Sequence, residues 1–170
     1  VLLYGVKGSG KTTLGQRVAN TLRWAFIDTD HLLAQRYNLQ HHTQLNHREI
    51  FKLIGEPAFR DWEQDSILTI QPSTNTIISV GGSSLLDPSS QQHARSIATC
   101  IYCRVSLTTF LQRLNDNPNK PAHLNSISTA TDYFRQRDSI YITLTDRVFD
   151  NDGGDINAAA QQLAARIDDQ

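Results

Sequence analysis

Eight residues near the start constrain this chain more than any other stretch. Gly5-Val6-Lys7-Gly8-Ser9-Gly10-Lys11-Thr12 is a complete G-x-x-x-x-G-K-[ST] pattern. A short apolar run, Val1 to Tyr4, precedes it, and Leu14, Val18 and Leu22 follow at helical spacing. The spacing therefore predicts strand, loop and helix in that order. The glycines let successive backbone N–H groups turn toward phosphate oxygens, and the following helix adds the positive end of its dipole. Lys11 is placed to neutralise β and γ phosphates, and Thr12 to put a hydroxyl on magnesium. A glycine-rich turn with a surface lysine is the plainer reading, but it leaves both flanking elements unexplained. Nucleotide binding follows; the identity of the base does not.

A guanine-specific loop would add N-K-x-D, and the nearest candidate, Asn119-Lys120-Pro121-Ala122, lacks the aspartate. GTP signalling is thereby disfavoured. At 170 residues the chain is also short for a motor or a large ATPase, which leaves a small-molecule kinase. Lysine and arginine number 16 against 17 aspartate and glutamate, so no broad field attracts nucleic acid or an acidic membrane. No apolar run approaches the ~20 residues of a bilayer span, and no signal-like segment is present. A soluble cytoplasmic protein of one domain is expected. Val1 already lies in a strand-like run and the chain has no methionine, so we expect the natural product to begin before it.

Along the chain, apolar runs and helical periods alternate. Ala25 to Ile27 reads as a second strand, followed by a helix containing Leu32, Leu33 and Tyr37. Ile50, Phe51 and Ile54 suit a helix stopping at Gly55, with Pro57 opening another that carries Phe59 and Trp62. Thr76 to Val80 is a buried-looking strand ending at Gly81-Gly82, and Ile97 to Val105 supplies the next. Leu107, Phe110, Leu111 and Leu114 fit a helix, after which Asn115 to Ser128 is polar and reads as a mobile loop. A helix before Tyr141, a strand at Arg147 to Phe149 and a helix from Ile156 to Ile167 complete the chain. This order is that of an α/β protein with a parallel sheet covered on both faces. Cys100 and Cys103 fall on one strand, where an offset of three sends side chains to opposite faces, against a disulfide or metal pair. His41, His42 and His47 lack ligand spacing, which disfavours zinc, and Trp24 and Trp62 read as packing residues.

Candidates for the phosphate acceptor site are scattered. Asp28 and Asp30 leave the second strand two residues apart, so they should project to one side, about 6 to 7 Å from each other. One suits the magnesium shell and the other an acceptor hydroxyl; simple capping of the next helix is the alternative. Glu63 stands three residues after Arg60, in reach to orient its guanidinium. Gly81-Gly82 offers bare backbone to a ligand. Arg60 and Arg137 converging on one pocket would favour an acceptor bearing a carboxylate.

Together these pieces resemble the shikimate kinase family. They are the phosphate loop through Thr13, Phe26-Ile27-Asp28-Thr29-Asp30, Gly55-Glu56 with Phe59-Arg60, Gly81-Gly82, Lys120-Pro121, and Arg137 with Tyr141. The resemblance implies transfer of the γ-phosphoryl of ATP to the 3-hydroxyl of shikimate, with Mg2+, in aromatic amino-acid (chorismate) biosynthesis. It implies a three-layer fold with a five-stranded parallel sheet as one kinase domain over 1–170, a helical substrate-binding region at about 31–70 and a lid at about 115–128. In that register Gly8, Ser9, Gly10, Lys11, Thr12, Thr13, Arg113 and Lys120 contact the nucleotide, and Thr12 and Asp28 serve the metal. Asp30, Arg60, Gly81, Gly82 and Arg137 hold shikimate, and Lys11, Asp30 and Lys120 take part in the chemistry. A monomer with a small-molecule substrate and no nucleic-acid or membrane partner is expected.

Two positions depart from the family. Ser83 stands where a third glycine is usual, making a left-handed backbone costlier there. Lys120 replaces the lid arginine, keeping the charge but losing the five-donor fork, and Ala122-His123 stand where leucines are usual. ATP binding is expected to persist with reduced turnover. A gluconate- or nucleotide-kinase-like enzyme and a non-catalytic nucleotide-binding regulatory module are the competing readings.

Overall fold

The computed structural model describes residues 1–71, 73–118, 120–121, 124–145 and 147–168. Five strands, β1 (Leu2–Tyr4), β2 (Ala25–Asp28), β3 (Thr76–Ser79), β4 (Cys100–Arg104) and β5 (Val148–Asp150), form one parallel sheet in the order β2-β3-β1-β4-β5. The helices are α1 (Lys11–Leu22), α2 (Thr29–His41), α3 (His47–Leu68), α4 (Pro88–Ile97), α5 (Leu107–Asn115), α6 (Ile127–Tyr141) and α7 (Ile156–Asp168). A 3-10 turn, Ser84–Leu86, follows β3.

Alternate residues of the strands feed two cores. Leu2, Tyr4, Ile78, Cys100 and Tyr102 point to a core shared with α4, α5 and α6, while Leu3, Ile77, Ile101 and Cys103 point to one shared with α1 and α7. Both faces are therefore covered, which is why the middle residues of the central strands are apolar. Cys100 and Cys103 sit in different cores as free thiols. A third, smaller cluster of Leu33, Ala34, Tyr37, Ile50 and Phe59 binds α2 to α3 beyond the sheet edge.

Caps explain most helix starts. Asp28 caps α2, Asn46 and Glu49 form a capping box on α3, Asp87 caps α4, and Ser106 and Ser126 cap α5 and α6. The α1 helix has no side-chain cap: its N-cap is Gly10 in the left-handed region.

Some boundaries differ from the sequence reading. Ile97 closes α4 rather than opening β4, because the α4 cap at Asp87 and Pro88 sets a helix that runs into it. The β5 strand is displaced by one residue, to Val148–Asp150. Gly55 breaks α3 with φ 77 and ψ 170, so one apolar stripe becomes two helical segments at the expected place. In the polar connection between α5 and α6, Leu124 is buried in the larger core and its N–H donates to Pro121 O at 2.9 Å. Asn119, Ala122 and His123 of the expected lid lie outside the described residues.

Candidate active site

The phosphate loop closes on itself around its lysine. Lys11 is 7% exposed, and Nζ donates to Gly5 O and Val6 O, both at 3.0 Å, and to Ser9 Oγ at 3.4 Å. Burial pulls its pKa down, and every one of these acceptors is neutral. Gly8 and Gly10 take φ of 80 and 85, where a side chain would be strained. A buried cation with only neutral partners, beside a helix start whose N–H groups no side chain caps, is a donor set that fits a polyphosphate.

Thr12 and Asp28, the two residues expected to serve the metal, are brought into contact. Thr12 Oγ1 donates to Asp28 Oδ2 at 2.9 Å, and Ser79 Oγ lies 3.3 Å from the same hydroxyl. Asp28 Oδ1 meanwhile accepts from the N–H groups of Asp30 and His31 at 3.0 and 3.2 Å. Asp28 thus caps α2 with one oxygen and accepts the Thr12 hydroxyl with the other. A hydroxyl and a carboxylate at a phosphate loop suit Mg2+, which keeps several waters and borrows phosphate oxygens.

Asp30 does not continue the strand, as the alternation argument assumed. It lies in the first turn of α2, since Asp28 ends β2 and caps the helix. Burial raises the Asp30 pKa; His47, Lys11 and Lys7 oppose the shift and Asp28 adds to it. His47, the first residue of α3, places Nε2 3.9 Å from Asp30 Oδ2. Sequence spacing gave no sign of this contact.

The glycine pair is small because space is short rather than because φ is positive. A Cβ on Gly81 would lie 2.6 Å from Ser84 Oγ and 2.9 Å from both Asp30 Oδ1 and Glu63 Oε1. One on Gly82 would lie 3.0 Å from Lys7 N. Gly81 N–H donates to Thr29 Oγ1 at 3.1 Å. The anticipated cost at Ser83 does not arise, for its φ is −127, well inside the range open to L-residues.

Arg60 is oriented as its spacing foretells. Nη1 contacts Glu63 Oε2, and Nη2 donates to Glu56 Oε1 at 2.9 Å. Burial raises the pKa of Glu63, which is 8% exposed, and the Arg60 charge opposes that rise. Arg137 lies with its guanidinium carbon 3.6 Å above the Tyr133 ring, Nη1 donates to Gln136 Oε1 at 3.3 Å, and its Nε is buried without a hydrogen-bond partner. Burial raises the pKa of the Tyr141 hydroxyl, Glu63 adds to the rise, and the Arg137 and Arg60 charges oppose it.

Arg113 braces the loop from α5: Nη1 donates to Gly8 O at 3.2 Å and Nη2 to Asn151 O at 2.8 Å. Asn151, just past β5, sends Nδ2 to Ser9 O at 2.7 Å. Nothing in the sequence marked Asn151, whereas Ser79 was detectable as a hydroxyl in an otherwise apolar strand. Lys120 stands apart, Nζ donating to Asn115 Oδ1 at 3.1 Å at the end of α5.

A family model described as shikimate kinase matches residues 7–168. The shikimate kinase of Thiobacillus denitrificans is 28% identical over 168 residues, covering 98% of this chain and 88% of the relative. That of Xylella fastidiosa (strain M23) is 27% identical over 165 residues, covering 96% and 88%. Among solved structures, the shikimate kinase from Acinetobacter baumannii in complex with shikimate matches with a TM-score of 0.84 at 21% identity, over 99% of this chain and 92% of that one. The enzyme from Bacteroides thetaiotaomicron matches at 0.80 and 23% identity, over 98% and 97%. At these identities the structural likeness concerns the fold, a five-stranded parallel α/β sheet.

Proposed function

The chain belongs to the shikimate kinase family, and from that premise we propose how its own residues carry the phosphoryl of ATP to the 3-hydroxyl of shikimate. The observation that carries this reading is the crowding at Gly81. Asp30 and Glu63 approach it equally, so the acceptor base and the partner of the Arg60 clamp share one wall, while Asp30 also acts electrostatically on Lys11.

The phosphate loop of Gly8, Ser9, Gly10, Lys11, Thr12 and Thr13 binds the ATP phosphates, with Arg113 bracing it. Lys11 exchanges the Gly5 and Val6 carbonyls for β- and γ-phosphate oxygens, a gain because an anion replaces neutral acceptors. Thr12 and Asp28 hold Mg2+, which supplies neutralising charge to those phosphates. Arg60 and Arg137 grip the shikimate carboxylate, the unpartnered Arg137 Nε being one donor with capacity to spare. Gly81 and Gly82 let the ring lie against bare backbone.

Asp30 accepts the proton of the 3-hydroxyl as its oxygen forms the bond to the γ-phosphorus. The bond from that phosphorus to the bridging oxygen of ADP breaks, and ADP leaves with the electron pair. Lys120 approaches the transferring group from the lid at about 115–128, and the α2–α3 region at about 31–70 carries the acceptor side. We place the enzyme in the cytoplasm as a monomer without nucleic-acid or membrane partners. Among the described residues no helix is long and apolar enough to cross a membrane.

A coupled ADP-release assay with ATP and magnesium, run with shikimate, gluconate or a nucleoside monophosphate, tests the reading. ADP appears only with shikimate. Turnover of another acceptor, or binding without turnover on any, overturns it. Arg60→Ala raises the shikimate KM at least ~10-fold, the scale of one charged hydrogen bond, and leaves the ATP KM unchanged.

A further inference from the structure

Three tyrosines from separate elements meet behind the glycine pair. Tyr4, Tyr102 and Tyr141 are each 1% exposed or less, with ring centroids 5.5 to 5.8 Å apart. Their hydroxyls are spent differently. Tyr102 donates to Asp138 Oδ1 at 2.7 Å, and Tyr4 donates to Tyr141 O at 3.0 Å, docking the end of α6 onto the strand that feeds the phosphate loop. Tyr141 donates to Gly82 O at 2.7 Å. That last bond spans 59 residues of sequence and joins the helix bearing Arg137 to the glycine pair.

We propose that Tyr141 is a positioning residue for the acceptor, its hydroxyl setting the orientation of the Gly82 peptide against which shikimate lies and holding that peptide in register with Arg137. The inference rests on the function proposed above. Glycine peptides have the most conformational freedom to lose, so a site built on two of them needs an outside tether. A Cβ on Gly82 would lie 3.0 Å from Lys7 N, so a bulkier residue could not take its place without a shift, and the Tyr141 hydroxyl fastens its carbonyl. Tyr141 follows Arg137 by four residues, one helical turn, so both project from the same face of α6. Burial keeps the phenol protonated, and therefore a donor, at any working pH.

Tyr141→Phe keeps the ring packing and deletes the hydroxyl alone. We expect the shikimate KM to rise about 5- to 10-fold, from a lost hydrogen bond of about 1 kcal/mol, with the ATP KM unchanged. Tyr102→Phe is the matched control, losing a hydroxyl from the same cluster that does not touch the glycines. It should lower Tm comparably and leave both KM values in place. A fall in Tm for Tyr141→Phe with an unchanged shikimate KM makes the hydroxyl merely structural and overturns the proposal, as does an equal shikimate KM rise in Tyr102→Phe. Arg60→Ala run alongside separates the two failures. If Arg60→Ala raises the shikimate KM and Tyr141→Phe does not, only the positioning role falls. If neither does, the assignment of the acceptor site falls with it.

Discussion

At the scale of single residues, one carboxylate does two jobs while the carboxylate two residues on is left to one. Asp28 caps α2 with one oxygen and takes the Thr12 hydroxyl with the other, so the start of α2 and the Thr12 side chain of α1 are tied to the same carboxylate. Asp30, in the first turn of the helix, is free of capping duty and is pushed upward in pKa by burial. A base must be ionised to accept a proton, so activity is present above that pKa and is lost as pH falls through it. We expect the acid limb of kcat/KM to lie above the ordinary aspartate value of ~3.9. In His47→Ala the limb should move higher still, since the largest influence opposing the shift is gone. A limb at or below the ordinary value contradicts the role of Asp30. Asp30→Asn should lower kcat by roughly 10²- to 10⁴-fold with little change in the ATP KM, measured by the same coupled assay. Cys103 offers a different check: burial pushes its thiol up to about 12, so it is neutral and shielded. Iodoacetamide should leave the folded enzyme active and unlabelled there, and label it after denaturation; labelling of the native protein would contradict the packing of β4 against α1 and α7.

At the scale of elements, glycines at two junctions are required for different reasons. Gly55 breaks α3 in a backbone region that side chains rarely adopt, yet a Cβ there would meet nothing within 4 Å. Gly55→Ala should therefore cost about 1 to 3 kcal/mol through backbone strain alone, read from urea unfolding, and its shikimate KM need not follow. Gly81 shows the reverse. Its backbone is unstrained, but a methyl group would push on Asp30, Glu63 and Ser84 together. Gly81→Ala should abolish most turnover and acceptor binding while ATP still binds. Normal shikimate kinetics in that variant would show that the pocket is not walled by this residue. The pattern Gly-Gly was visible in the sequence; which of the two mechanisms applied became visible only once β3 lay between β2 and β1.

At the scale of the whole molecule, the α2–α3 cluster packs beyond the sheet edge with its own small core, separate from the two that clamp the sheet. Fewer buried contacts mean lower local stability. Amide exchange should consequently be faster in α2 and the first half of α3 than in β1 and β4, and shikimate should slow it selectively. Uniform protection across both regions would argue that the acceptor side is not a separately stabilised unit.

Much of this was legible in the chain itself, because the governing interactions are short in sequence. The phosphate loop, the cap at Asp28, the Arg60–Glu63 pair and the alternating cores of Cys100 and Cys103 all follow from spacings of a few residues, where backbone geometry alone decides which side chains meet. Element order and the parallel sheet followed in turn, since a strand, a helix and another strand leave few ways to cover both faces. What tertiary structure decided were the meetings between distant elements: Ser79 beside Thr12, His47 beside Asp30, Asn151 beneath Ser9, and Tyr141 on Gly82. Each depends on strand order and helix docking, and those are settled by how apolar faces of the entire chain pack together, a collective quantity that no local window contains.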